Sequence, residues 1–196
     1  MKVPPPRLVL ASTSPYRREL LARLGLPFDT CAPDVDESAV QGERPDALAL
    51  RLSQAKAAAV GRRHPDALII GSDQVAALDD RVLTKPGNRA NAIRQLEFAS
   101  GRTVDFYTGV AVLNARTARC RAEIALTRVR FRPLTRNAIE SYLDREPAFD
   151  CAGSARVEAL GIALLEQVDS DDPTALIGLP LIRVVSMLAQ EGLSVL

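Results

Sequence analysis

The chain has 196 residues, 47% of them hydrophobic, enough to bury a full core in one domain or in two closely joined lobes. Its 25 basic and 24 acidic side chains nearly cancel, which excludes the broad basic field of a protein that grips nucleic acid through its phosphates. Cys31, Cys120 and Cys151 are odd in number, widely spaced and without a C-x-x-C pair, which argues against a disulfide framework or a zinc site.

The N-terminal stretch 1–7 carries Lys2 and three prolines, and the apolar run 8–11 behind it is too short for a signal-peptide core or a membrane span. A soluble cytoplasmic protein is expected. The run 8–11 reads as a strand. Ser12-Thr13-Ser14-Pro15 then turns the chain into a helix marked by Leu20, Leu21 and Leu24 and stopped by Gly25-Leu26-Pro27. A second strand fits 28–32, and 34–37 reads as an acidic loop. Pro45 opens a long helix that ends near Arg62, with Leu48, Leu52, Ala55 and Ala59 on one face.

The buried strand 67–71 follows, and 75–78 with 81–83 reads as a hairpin turning at Asp79-Asp80. Asn88 starts an amphipathic helix that runs to Ser100-Gly101. Segments 103–113 and 123–131 are rich in β-branched and apolar residues, and an antiparallel pair is expected. Thr135 caps a helix over 135–146, 162–168 reads as a late strand, and 179–191 as a final helix ending at Gly192. Alternating strands and helices in the first half, with paired strands in the middle, predict an α/β fold with a mixed β-sheet. No repeat or long linker divides the chain, so a single domain over 1–196 is expected.

A strand that ends in Ser12-Thr13-Ser14-Pro15 and turns into a helix aims hydroxyls and backbone N–H groups at one point, where the helix dipole favours an anion. Arg17 and Arg18 oppose that dipole unless an anion lies between them. Taken alone, the segment suits an ordinary cap by Ser14 with solvated arginines equally well.

The stretch Ser12-Thr13-Ser14-Pro15-Tyr16-Arg17-Arg18-Glu19-Leu20-Leu21 resembles the opening motif of the Maf family of nucleoside triphosphate pyrophosphatases. Asp36-Glu37, Lys56-Ala57, Gly71-Ser72-Asp73-Gln74, Lys85-Pro86, Ser100-Gly101 with Thr108-Gly109, Ala152-Gly153-Ser154 and Gly178-Leu179-Pro180 follow in family order. One such match means little, but the ordered series is specific. The resemblance implies an elongated mixed β-sheet flanked by helices, two lobes with a central cleft, and cleavage between the α and β phosphates of a nucleoside triphosphate. Neither nucleic acid nor membrane is an expected partner, and a homodimer is compatible with the fold.

Hydrolysis of that anhydride needs screening of phosphate charge, a positioned water and a proton acceptor. Hard oxygen ligands suit Mg²⁺ or Mn²⁺, and the sole histidine, His64, leaves no histidine-rich metal site. Asp73 follows the strand 67–71, at the carboxyl end where α/β sheets place ligands. The family likeness makes Asp73 the proton acceptor, although an aspartate there equally suits a metal. It also selects Glu37 as a ligand of the divalent cation (Mg²⁺, Mn²⁺ or Co²⁺), with Asp36 as a further participant. Ser12, Ser14, Arg17, Arg18, Lys56 and Lys85 become the phosphate-binding set. Thr84 stands where many members have glycine.

Three positions depart together from the dTTP- and UTP-directed members: Tyr16 in place of arginine, Gln74, and Glu158. They resemble the subgroup specific for 7-methyl-GTP, as does 149–164 and the lack of a histidine near Val104-Asp105. N7 methylation makes guanine cationic, so an aromatic face gains a cation–π attraction and a carboxylate gains charge-assisted bonds to the N1 and N2 donors. Tyr16 offers the face, Glu158 the carboxylate, and Gln74 an amide. A dTTP or UTP pyrophosphatase on this scaffold, or a non-catalytic nucleotide-binding regulator of cell division, are the competing functions.

Overall fold

The structure is a computed structural model that describes residues 6–79 and 81–196. The leader 1–7 therefore lies largely outside the described residues, as does the expected turn residue Asp80. Among the described residues, one seven-stranded sheet has the order β2-β1-β3-β5-β6-β7, with β4 beside β3. The strands are β1 (Arg7–Ala11), β2 (Asp29–Thr30), β3 (Ala67–Leu78), β4 (Arg81–Leu83), β5 (Thr103–Asn114), β6 (Arg119–Phe131) and β7 (Leu165–Ser170). Parallel pairs β1–β2 and β1–β3 coexist with antiparallel β3–β4 and β6–β7, so the sheet is mixed as expected. The helices are α1 (Pro15–Ala22), α2 (Pro45–Gly61), α3 (Arg89–Ala99), α4 (Arg136–Arg145) and α5 (Leu181–Gln190).

The chain forms two compact units, one of residues 1–73, 108–125 and 172–196, the other of 74–107 and 126–171. In the first, alternation along β1 sends Leu8 and Leu10 to one face, with Leu68, Ile70, Val110 and Val112. Leu20 and Leu21 of α1 and Val184, Met187 and Leu188 of α5 cover that face. Val9, Ala11, Ile69 and Ala111 point the other way and meet Ala57 and Val60 of α2. Both faces are buried, which is why 8–11 is uniformly apolar. In the second unit, α3 packs against α4 and against a short 3₁₀ helix, Ala152–Ser154.

Several expected boundaries move. β2 is only two residues long, because only Asp29 and Thr30 pair with β1. Strand 67–71 and the hairpin strand 75–78 are one continuous strand, β3. The polar residues Ser72, Asp73 and Gln74 broke the apolar pattern, but Ser72 is fully buried and its hydroxyl donates to the carbonyl of Gly109 at 2.8 Å. Asp73 thus lies inside a strand rather than past its end, and that expectation is corrected. What does end nearby is β1, whose last partner pair is Ala11 with Gly71. The late strand begins at Leu165, since Leu160–Leu164 is a 3₁₀ helix. Thr135 caps α4, its hydroxyl accepting from the N–H of Ala138 at 3.2 Å.

Candidate active site

Two glycines set the geometry around Lys56. A Cβ on Gly71 would lie 2.2 Å from the Ser53 carbonyl oxygen, and one on Gly109 2.3 Å from that of Ala49. Both oxygens belong to α2, so β3 and β5 approach that helix backbone to backbone. One turn beyond Ser53, the Lys56 side chain reaches back over the sheet. Its ammonium lies 2.6 Å from Asp73 Oδ1 and 2.6 Å from Glu37 Oε1. Lys56 and Asp73 are buried, at 5% and 8% exposure, whereas the Glu37 side chain remains 59% exposed. A buried ammonium and carboxylate compensate each other's lost hydration only at such short range.

The turn after β1 joins this group. The Ser12 hydroxyl accepts from the N–H of Ser14 at 3.0 Å, and the Ser14 hydroxyl from that of Arg17 at 3.4 Å. Ser14 is therefore the N-cap of α1, with Pro15 in its first turn. Arg17 is half-buried and its Nε donates to the carbonyl of Gly178 at 2.8 Å. The Ser72 hydroxyl donates to the same carbonyl at 2.9 Å. Loss of hydration pulls the Arg17 pKa down, while the charges of Asp73 and Glu37 pull it up. Arg17, Lys56, Asp73 and Glu37 thus form one electrostatic group within the first unit. Arg18 is exposed.

Asp36 is committed to local structure, since its Oδ1 accepts from the N–H of Ser38 at 2.9 Å in a turn spanning Glu37. The Ser38 side chain and then its backbone N–H hold the Asp36 carboxyl below the usual range. Gln74 follows Asp73 in β3 and is half-buried, as is Tyr16 in the first turn of α1. Lys85 and Glu158 belong to the second unit and are exposed, Glu158 on a turn. Lys85 is flanked by two pinned carbonyls: Gln95 donates to Thr84 O and Asn91 to Pro86 O, each at 2.8 Å. The Gln95 carbonyl oxygen also accepts from the Ser154 hydroxyl at 2.7 Å.

The Gly178 carbonyl was not singled out in the sequence. Its one trace was Gly178-Leu179-Pro180 among the ordered motifs, to which no side-chain chemistry could be attached. Nor did spacing reveal the supporting pair Arg51 and Glu43, which lie 2.6 Å apart on either side of the start of α2.

No group of three or more His, Cys, Asp or Glu side chains gathers among the described residues. The donor set is two carboxylates, Glu37 and Asp73, converging on one ammonium. That suits a hard dication which takes one or two protein carboxylates and completes its shell with water and substrate phosphates. Cys31, Cys120 and Cys151 are free thiols, and no helix among the described residues is long and apolar enough to cross a membrane.

Residues 7–191 match the family model described as "Maf-like protein". A protein of Aromatoleum aromaticum named 7-methyl-GTP pyrophosphatase is 57% identical over 187 residues, 95% of this chain and 96% of its own. Proteins of the same name from Thiobacillus denitrificans and Nitrosococcus oceani are 56% and 52% identical. They cover 97% and 98% of this chain, and the alignments take in 95% and 96% of their own lengths.

Proposed function

The chain belongs to the Maf-like protein family, and from that premise we propose that it hydrolyses 7-methyl-GTP to 7-methyl-GMP and pyrophosphate. It is a hydrolase acting on phosphoric anhydrides. The observation that carries this is the Lys56 ammonium held between Asp73 and Glu37, in a chain whose full-length relatives bear that name.

In the reaction, water attacks the α-phosphorus, the bond to the bridging oxygen of the β-phosphate breaks, and pyrophosphate leaves. Asp73 accepts the proton of the attacking water. Lys56 and Arg17 offset phosphate charge from a partly dehydrated setting, where a fixed cation acts more strongly than in water. Ser12, Ser14 and Arg18 at the start of α1 bind phosphate oxygens, and Lys85 supplies a further compact charge. A divalent cation, Mg²⁺, Mn²⁺ or Co²⁺, would be held by Glu37 and Asp73 and would supply charge neutralisation and a more acidic water.

Tyr16 stacks on the cationic methylated base, Glu158 accepts from its N1 and N2 donors, and Gln74 orients base or sugar. The balanced charge supports a free nucleotide rather than nucleic acid as the partner, and the free thiols support a cytoplasmic setting. Purified protein with Mg²⁺ or Mn²⁺ should release pyrophosphate from 7-methyl-GTP with a higher kcat/KM than from GTP, dTTP or UTP. Nucleotide binding without any pyrophosphate release would point instead to a non-catalytic regulator.

A further inference from the structure

Residues 31–44 carry no helix or strand, yet Glu37 in their midst keeps its carboxylate 2.6 Å from Lys56. An irregular segment has much freedom to lose, so the contacts that hold this one decide where Glu37 sits. The contacts lead to Arg51, five residues before Lys56 on α2. Its Nη2 donates to the carbonyl of Ser38, the residue after Glu37, at 3.0 Å. The same guanidinium grips Glu43 with two bonds, Nε to Oε1 at 2.6 Å and Nη2 to Oε2 at 2.8 Å. Glu43 Oε2 also accepts from the N–H of Val40 at 3.0 Å. On the other side of Glu37, Asp36 closes its turn onto the N–H of Ser38.

We infer that Arg51 and Glu43 form a clasp that presents the Glu37 carboxylate to the divalent cation, making Arg51 a positioning residue for the metal. This rests on the reading of Glu37 as a metal ligand. A planar fork explains why the cation is arginine: one side chain ties a loop carbonyl and a carboxylate to the helix that also carries Lys56. Glu43 is held at about 2 by its bonds to Arg51 and the Val40 N–H, so the clasp stays charged throughout the neutral range. It spans only residues of the first unit.

The test is Mn²⁺ binding to the full-length chain, followed by the electron spin resonance of the free ion. Arg51→Gln should weaken Mn²⁺ about tenfold, the lower end for loss of a group that orients a ligand. Glu43→Gln, a milder change on the loop, should weaken it in the same direction. In a Glu37→Gln background, which itself loses affinity, Arg51→Gln should cost nothing further, because its effect passes through Glu37. Two results overturn the inference alone: wild-type affinity in Arg51→Gln and Glu43→Gln while Glu37→Gln loses binding, or an equal loss on adding Arg51→Gln to Glu37→Gln. Unchanged Mn²⁺ affinity in Glu37→Gln overturns the ligand reading and the clasp with it.

Discussion

In the unit that contains Lys56 and Asp73, polar side chains grow from a helix and a strand whose backbones touch, whereas in the other unit Lys85 and Glu158 stand exposed on irregular segments. The first arrangement fixes charge where a reaction would need it, with Asp73 and Lys56 buried and Arg17 anchored on Gly178. The second carries groups that can be exchanged without disturbing a core. Side chains fixed by a buried framework and side chains borne on exposed segments should therefore respond differently to substitution.

The largest effect should come from the buried side of this contrast. Asp73→Asn should lower kcat by about 10² to 10⁴, the usual weight of a positioned proton acceptor, while equilibrium binding of nucleotide is largely retained. Unchanged turnover would remove Asp73 from that role.

Packing gives the next largest effect. Gly71→Ala would force a methyl to within 2.2 Å of the Ser53 carbonyl oxygen, and overpacking of that kind costs about 1–3 kcal/mol. Thermal unfolding should register a fall of about 2–4 °C per kcal/mol, whereas Lys85→Ala should shift stability by no more than about 0.5 kcal/mol. Equal Tm losses at the two positions would dissolve the contrast between the units.

Specificity should then move separately from chemistry. Tyr16→Ala is expected to weaken 7-methyl-GTP binding by roughly 1–3 kcal/mol, felt mainly in KM. Glu158→Gln should narrow the preference for 7-methyl-GTP over GTP, and an unaltered ratio would take Glu158 out of base recognition.

The smallest effect lies at alkaline pH in the second unit. Burial pushes the Tyr142 hydroxyl up to about 12, and burial with the nearby Asp150 charge pushes the Cys151 thiol up to about 11. Both folded values exceed the unfolded ones, so the neutral groups favour the fold below about pH 9, and stability declines as pH rises through about 9 to 12. Urea midpoints measured at about pH 8 and about pH 10.5 should separate in the wild type and draw together in Tyr142→Phe with Cys151→Ala. Persistence of the full separation would place the alkaline sensitivity elsewhere.

How much of this was legible in the sequence differs by feature. Helix starts at Ser14, Asn88 and Thr135 were readable because a side-chain oxygen next to a helical pattern has one dominant use, and all three accept the expected backbone bond. The continuity of β3 through Ser72, Asp73 and Gln74 was not, because those polar residues are satisfied by distant partners such as the carbonyls of Gly109 and Gly178. Asp73 was singled out as a proton acceptor for a position at a strand end that it does not occupy; it lies inside β3, paired with Lys56, where no apolar periodicity could have placed it. The convergence of Glu37 and Lys56 also escaped local reading: an acidic loop and a lysine among alanines each look solvated until the fold joins them.

The most direct measurement is kcat/KM for pyrophosphate release, compared across 7-methyl-GTP, GTP, dTTP and UTP with Mg²⁺ and with Mn²⁺. The expected result is a clear preference for 7-methyl-GTP, with 7-methyl-GMP and pyrophosphate formed in equal amounts. Turnover of dTTP or UTP that equals or exceeds that of 7-methyl-GTP would contradict it.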